Sequence, residues 1–252
     1  MNQPDEIAIN MAEWQVGLPP DIVNVLDQVI LDARAALGDD LDSIVLFGSA
    51  AEGRLRPASD INVIFVLNQF DEQTMLAWRP ALQVSAAAID LQPMLLLKDE
   101  LQEASEAFAV KFSDVLTRRR VLFGNDPFEQ LSISRSAVIR RAQQVLLNLT
   151  IRLRHAMVLF NESGQTHVIV DSIGPLRAAT MVLLQLEGHA IGTPREAFAT
   201  IATELGSEWQ PTIEHLREMR EQGLVIDPHA AHTLHAMSAL TALLFERSKR
   251  LQ

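Results

Sequence analysis

The sequence predicts an α+β fold in two parts: a small mixed β-sheet flanked by helices, followed by an all-α antiparallel helical bundle. Three observations predict it. Strand-like and helical patterns alternate up to residue 128, segments of helical period fill residues 129–252, and strand signals nearly vanish in that second part. We therefore divide the chain into residues 1–128 and residues 129–252.

The elements of the first part follow from apolar periodicity and from the turn residues between segments. Gly38 ends the first predicted helix, and Pro93 indicates that the strand around it lies at a sheet edge or contains a bulge. In chain order we predict a helix over 21–37, strands over 43–47 and 61–67, a helix from 71 to about 85, a strand over 89–97, a helix over 98–118 and a short strand over 121–123.

The second part contains long amphipathic segments separated by short glycine-containing breaks. Buried faces joined by short loops favour antiparallel packing, so the bundle is the natural arrangement. An apolar face left over on it could support a homodimer. The predicted helices cover 134–160, 168–186, 193–205, 211–222 and 227–251.

Composition excludes several classes of protein. The absence of cysteine excludes a disulfide scaffold, a thiolate metal site and a cysteine nucleophile. The first ten residues lack the basic and apolar regions of a signal peptide. No apolar run was found to approach the roughly 18–20 residues that span a bilayer. We expect a cytoplasmic protein with no membrane segment.

The negative charge is concentrated in the first part. Residues 1–128 contain 9 Lys and Arg against 20 Asp and Glu, whereas residues 129–252 contain 12 of each. Nucleic-acid backbones are bound by basic side chains, so duplex DNA or RNA is not an expected partner. Divalent cations, or a nucleotide that carries them, fit this charge better.

The segment from Ser43 to Leu67 carries the clearest chemistry. Gly48-Ser49 ends an apolar strand, and we predict that a short helix follows. Free N–H groups at the start of such a helix attract phosphate. Asp60 and Asn62 flank the start of the next strand and project to the same face. Asp90, at the start of the third predicted strand, could reach that face too.

The residues of this segment resemble those of a known family. Gly48-Ser49, Gly53, Pro57 and Ser59-Asp60 match the GS…G…SDxD signature of the DNA polymerase beta-like nucleotidyltransferases. The most similar branch is that of the bacterial minimal and aminoglycoside-type enzymes, in which a segment like residues 120–128 often closes the catalytic domain. A helical substrate-binding bundle often follows in that branch.

The resemblance implies a nucleotide site and a metal site. Gly48, Ser49 and Ser59 would bind the triphosphate of an NTP substrate. Asp60 would be the first ligand of Mg²⁺ or Mn²⁺. Asp90 resembles the third carboxylate, which in this family binds metal and activates the acceptor hydroxyl.

The chain departs from the signature where the second metal ligand is expected, because that position is Asn62. An amide can donate a carbonyl oxygen to a cation but carries no charge. Three interpretations stay open: the enzyme works with one well-held metal, it binds nucleotide without turnover, or another carboxylate such as Glu52 compensates.

The functional hypothesis is therefore a metal-dependent nucleotidyltransferase. It would move a nucleoside monophosphate from an NTP to a hydroxyl of a small-molecule or protein acceptor and release pyrophosphate. The alternative is a catalytically degenerate nucleotide-binding or regulatory protein on the same fold. Five arginines against one acid over residues 129–160 disfavour a strongly cationic acceptor.

Overall fold

The computed structural model describes residues 13–55, 60–222 and 225–251. It divides into two compact units. The first comprises the described residues of Met1–Leu101 and Arg118–Gln130, and the second those of Gln102–Thr117 and Leu131–Gln252. In chain order the elements are α1 (Pro20–Leu37), β1 (Leu41–Phe47), β2 (Ile61–Leu67), α2 (Glu72–Ile89), β3 (Leu91–Leu97), α3 (Leu101–Ala107), α4 (Ala109–Thr117), β4 (Arg119–Phe123), α5 (Arg135–Leu159), α6 (Glu162–Leu186), α7 (Pro194–Leu205), α8 (Gln210–Gln222) and α9 (Ala230–Ser248).

Helices α3 and α4 make this division differ from the predicted one, which placed the boundary after residue 128. Although they precede the strand β4 in sequence, these helices belong to the second unit almost entirely. Val110 of α4 packs there with Ala142 of α5 and Val182 of α6. The functional roles assigned to the two parts stay predictions.

The first unit is built on a four-stranded sheet with the strand order β3-β2-β1-β4. Strand β1 is antiparallel to β2 and to β4, whereas β2 and β3 run parallel. The mixed sheet is the one the sequence predicts. Pro93 lies in the edge strand β3, where a residue without an N–H donor is tolerated.

One face of this sheet packs against α1 and α2. Alternate residues of β2, namely Ile61, Val63 and Phe65, belong to that core. The ring of Phe65 meets Trp78 of α2 edge-on, with 4.9 Å between the ring centroids. Because successive side chains of a strand point to opposite faces, Asn62 lies on the other face of the sheet.

The junction of α2 and β3 differs from the prediction. The helix extends to Ile89, because Ser85 and Ile89 continue its buried face with a spacing of four residues. Asp90 caps the helix in the left-handed region, at φ 48° and ψ 47°, and its N–H donates to the carbonyl of Ala86. The strand therefore begins at Leu91, two residues later than predicted.

The second unit is an arrangement of helices in which α5, α6 and α9 share one core. Only Phe160 and Asn161 connect α5 to α6, so the two long helices lie side by side and run in opposite directions. The helical second part of the prediction is confirmed. Core side chains that are fully buried include Leu146, Leu153, Ile169, Ile173, Leu240 and Leu244.

Helix α6 begins six residues earlier than predicted. The side chain of Asn161 caps it by accepting a hydrogen bond from the N–H of Gly164, at 3.1 Å. Gly164 therefore lies in the first turn of the helix. Asparagine is among the preferred N-cap residues.

Helix α6 is also the described segment that is long and apolar enough to cross a bilayer, contrary to the expectation that none approaches this length. Its 18-residue window has a mean hydropathy of 1.3, and 67% of that window is buried inside the protein. The burial accounts for the apolar composition, since a core helix needs apolar residues on most of its faces.

Two of the α5 arginines are engaged within the second unit. Arg141 donates to Gln144 at 2.7 Å, and its guanidinium lies 5.4 Å from the ring centroid of Phe108. Arg152 donates to Asp171 of α6 at 2.9 Å. The guanidinium groups of both arginines therefore take part in packing and pairing within this unit.

A buried carboxylate organises the start of α9. Asp227 is 5% exposed. It accepts hydrogen bonds from the hydroxyl of Thr233 at 2.6 Å, from the backbone N–H of His229 at 2.8 Å and from the ring Nε2 of His215 at 3.1 Å. Burial by itself would raise the pKa of Asp227, but these hydrogen bonds together outweigh it and hold the pKa below its usual range.

This network predicts a pH-dependent contribution to stability. A carboxyl whose pKa is lowered by folding stabilises the protein above its unfolded pKa and loses that effect as the pH falls through its folded pKa. We expect Asp227→Asn to reduce the free energy of unfolding by about 1.5–3 kcal/mol at pH 7, and the difference to narrow below about pH 4. Urea unfolding at several pH values measures this. Asp171→Asn is the control, because that carboxylate is 63% exposed, and its loss is expected to matter little.

Candidate active site

The predicted site residues of the first unit lie at one end of its sheet. Strand β1 ends where β2 begins, because these strands are antiparallel, and β3 begins at the same end as β2, because those strands are parallel. Gly48 and Ser49 follow β1, whereas Asp60 and Asp90 immediately precede β2 and β3. The topology therefore brings all four residues to a common edge.

The segment after β1 forms consecutive turns where a short helix was predicted. The N–H of Gly53 donates to the carbonyl of Ala50 at 3.0 Å, and the N–H of Arg54 donates to that of Ser49 at 3.1 Å. Gly48 has a φ of 77°, in the region that favours glycine. The backbone therefore differs from the predicted helix, but it still turns sharply at Gly48.

This turn can bind an anion. Among the residues that the structure describes, none offers a backbone acceptor to the N–H of Ser49, whereas the next residue, Ala50, is fully buried. A free N–H group in a turn can donate to a phosphate oxygen. Ser49 is partly exposed, so its hydroxyl is a further donor in reach of a ligand.

Arg118, the residue before β4, fixes the turn. Its backbone carbonyl accepts a hydrogen bond from the N–H of Gly48 at 3.1 Å, and its guanidinium donates to Glu52 at 2.9 Å. The side chains of Arg118 and Glu52 are 12% and 20% exposed. Because Arg118 already neutralises Glu52, the hypothesis that this carboxylate compensates for Asn62 loses support.

Asp60 and Asn62 face away from the core formed with α1 and α2. Asn62 alternates with Ile61 and Val63, whose side chains belong to that core. Asp60 is partly exposed, and no side chain in the described part of the molecule donates to its carboxylate. It is therefore available to a ligand.

Asp90 is held at its backbone and at its side chain. Its carbonyl accepts a hydrogen bond from the N–H of Ile61 at 3.1 Å, which ties it to the start of β2. Its carboxylate accepts from Nε2 of Gln92 at 2.9 Å. Asp90 is the non-glycine residue with a positive φ in the described ranges, a conformation that is sparsely populated and often found at functional positions.

Gln92 has no place among the predicted site residues. In the parallel ladder it is the direct partner of Asn62, so the two amides stand side by side on the face that Asp60 shares. Its position two residues after Asp90 on a strand was a usable signal. Without the register of β2 and β3, however, that signal did not point to a neighbour.

The donor set fits a hard divalent cation that also binds substrate phosphates. Mg²⁺ in proteins typically takes one or two carboxylates and completes its shell with phosphates and water. Asp60 and Asp90 supply two carboxylates, and Asn62 supplies an amide oxygen. In residues 13–55, 60–222 and 225–251, no group of three or more His, Asp or Glu side chains is arranged to hold a metal ion.

The role of Ser59 stays a prediction. Ser59 and Pro57 belong to residues 56–59, which lie outside the described residues. The signature positions on either side of this gap, Gly53 and Asp60, are described.

Comparisons with known proteins bear on the family and on the fold. Residues 26–142 match the family described as a nucleotidyltransferase domain. No curated protein matches the sequence. Among solved structures, the chain is similar to the spectinomycin adenyltransferase AAD(9) from Enterococcus faecialis, solved with ATP and spectinomycin, with a TM-score of 0.64 and 16% sequence identity. The match covers 90% of this chain and 99% of that one. At this identity the likeness concerns the fold, and it confirms the α+β prediction.

Proposed function

We propose the reaction of this chain from the premise that it is a transferase of the nucleotidyltransferase superfamily, since residues 26–142 match the family described as a nucleotidyltransferase domain. The protein transfers a nucleoside monophosphate from an NTP to the hydroxyl of a small molecule and releases pyrophosphate. The observation that carries the proposal is the meeting of the Gly48-Ser49 turn with Asp60 and Asp90 at one end of the sheet.

The residues of the site have different roles in the proposed reaction. The turn at Gly48 and Ser49 binds the triphosphate through the N–H and the hydroxyl of Ser49. Asp60, Asp90 and the amide oxygen of Asn62 hold Mg²⁺ or Mn²⁺, which when bound neutralises charge on the phosphates. Asp90 accepts the proton of the acceptor hydroxyl, whose oxygen attacks the α-phosphorus, while the bond from the α-phosphorus to the bridging oxygen breaks.

The proposal specifies the acceptor only as a class of compound. AAD(9), the structural neighbour, was solved with ATP and with spectinomycin, so a hydroxylated small molecule is the acceptor class to test first. Neutral, anionic and cationic acceptors are all tested.

A direct assay tests the reaction. The purified protein is incubated with each of the four labelled NTPs, with Mg²⁺ or Mn²⁺, and with pools of hydroxylated compounds. We expect pyrophosphate release that depends on the acceptor and stops on addition of EDTA. A protein that binds NTP and releases no pyrophosphate under any of these conditions would contradict the proposal.

The second candidate function is nucleotide binding without turnover, and Asn62 favours it. One missing negative charge beside a cation matters, since two unit charges about 4 Å apart interact by roughly 4 kcal/mol at an effective dielectric constant of about 20. Calorimetry with an NTP, with and without Mg²⁺, separates the candidates: tight binding that needs no metal supports the second.

The same position gives a prediction on activity. Asn62→Asp is expected to raise the rate of pyrophosphate release at limiting Mg²⁺ by at least about tenfold, because the restored carboxylate strengthens cation binding. Asn24→Asp on the exposed side of α1 adds the same charge elsewhere and is the control. Equal rates for the wild type and Asn62→Asp at every Mg²⁺ concentration would count against an electrostatic role for this position.

A further inference from the structure

We propose that Gln92 is a positioning residue of this site, which holds the Asp90 carboxylate ready for a divalent cation. The inference rests on the proposed function, because that function makes Asp90 a cation ligand. It adds a residue to the site that the signature of the family did not indicate in this sequence.

The contacts of Asp90 explain why it needs such a partner. Asp90 is exposed and stands outside regular structure, between the last turn of α2 and the first residue of β3. Its backbone is fixed through Ile61, but an exposed aspartate still rotates about its side-chain bonds unless another group holds it. The 2.9 Å hydrogen bond from Gln92 to Oδ1 is the contact that restrains it.

The geometry leaves the other carboxylate oxygen available. Within the described ranges, Gln92 donates to Oδ1 of Asp90 and no group donates to Oδ2. A ligand carboxylate that is held through one oxygen can present the second to a cation, and such supporting hydrogen bonds orient ligands in metal sites.

The chemical nature of Gln92 matters as well as its position. Its Cα partner across the parallel ladder is Asn62, so it neighbours that amide as well as Asp90. A carboxylate here could not donate and would repel Asp90, whereas an apolar side chain would leave Asp90 without a restraint. A neutral donor is the side chain that holds Asp90 without altering the charge of the site.

A second glutamine–aspartate pair supplies a matched control. On α1, which precedes β1 in the chain, Nε2 of Gln28 donates to Oδ1 of Asp32 at 2.7 Å. Both pairs are exposed and join the same two side-chain types. They differ in whether the aspartate belongs to the candidate site.

The experiment measures Mn²⁺ binding in the absence of nucleotide by the loss of the free-ion electron paramagnetic resonance signal. Gln92→Met keeps the length of the side chain and removes the donor. We expect it to weaken Mn²⁺ binding about tenfold, with an unchanged melting temperature, and Gln28→Met to leave binding unchanged. In an Asp90→Asn background, Gln92→Met should cause no further loss, because its effect passes through Asp90.

Three results would overturn the inference. Gln92→Met could leave the Mn²⁺ affinity unchanged, or it could cause an equal loss of affinity in the wild-type and Asp90→Asn backgrounds. The third is a wild-type protein that binds no Mn²⁺. Failure of the proposed function looks different, because a protein without pyrophosphate release can still bind Mn²⁺ through Asp90 and respond to Gln92→Met.

Discussion

The Asp60→Asn variant is expected to lose at least about a thousandfold in the rate of pyrophosphate release while it melts at the wild-type temperature. Asn62 already leaves the site with two carboxylates, so this substitution removes half of the remaining negative charge. A bound cation stabilises the transition state of phosphoryl transfer by several kcal/mol, and each 1.4 kcal/mol or so corresponds to a factor of about ten in rate.

The structure explains why the loss should not come from unfolding. Asp60 is partly exposed, and no described side chain donates to it, so the amide leaves no buried group unpaired. Asp21→Asn is the matched control, because Asp21 is exposed at the start of α1. Should Asp60→Asn retain the wild-type rate at saturating NTP and Mg²⁺, the assignment of Asp60 would have to be abandoned.

The second large effect concerns stability. Gly124 follows β4 at φ +78°, and a Cβ built on it would lie 2.2 Å from the carbonyl oxygen of Asp42 and 3.0 Å from Cα of Ser43. Both atoms are near the start of β1, which lies inside the sheet. We expect Gly124→Ala to lower the free energy of unfolding by about 3–5 kcal/mol, which combines the strain of a positive φ with the displacement of packed backbone.

Gly38 offers the comparison that isolates the clash. It also has a positive φ, +53°, but nothing lies within 4 Å of a Cβ built there. Gly38→Ala should therefore cost about 1–2 kcal/mol, from the backbone conformation alone. Urea unfolding of both variants measures the difference. Similar losses for the two variants would show that β1 shifts easily and that the approach of Asp42 to Gly124 is not a constraint.

Much of the first unit could be predicted because its signals are local. The bounds of β2, Ile61–Leu67, are those that its apolar run predicts. Pro93 indicated an edge position or a bulge, and the edge position is the one observed, since the missing N–H acts at the residue itself. Gly48-Ser49 and Asp60 could be proposed as site residues because a turn between two apolar strands is visible in the sequence.

The remaining features depend on contacts between segments that are distant in sequence. Helices α3 and α4 follow the first strands but belong to the second unit, because Val110 meets Ala142 and Val182 there. Likewise, Gln92 became a site residue only through the register that pairs it with Asn62. Periodicity within one segment carries no information on either contact.

The end of α2 was mispredicted for a different reason. The alanines before Ile89 favour a helix, but the residue at which the helix ends is set by Asp90, which adopts a positive φ and closes it. Aspartate adopts this conformation more readily than most residues but does not require it. The sequence therefore left the boundary open by a few residues.

The central claim is that Asp60, Asp90 and the Gly48-Ser49 turn form one site for a cation and a triphosphate. A crystal structure with Mn²⁺ and a non-hydrolysable NTP analogue tests it most directly. We expect an anomalous peak bound by carboxylate oxygens of Asp60 and Asp90, with triphosphate oxygens on the N–H groups of the turn. Nucleotide bound elsewhere, or Mn²⁺ that contacts neither aspartate, would contradict the account.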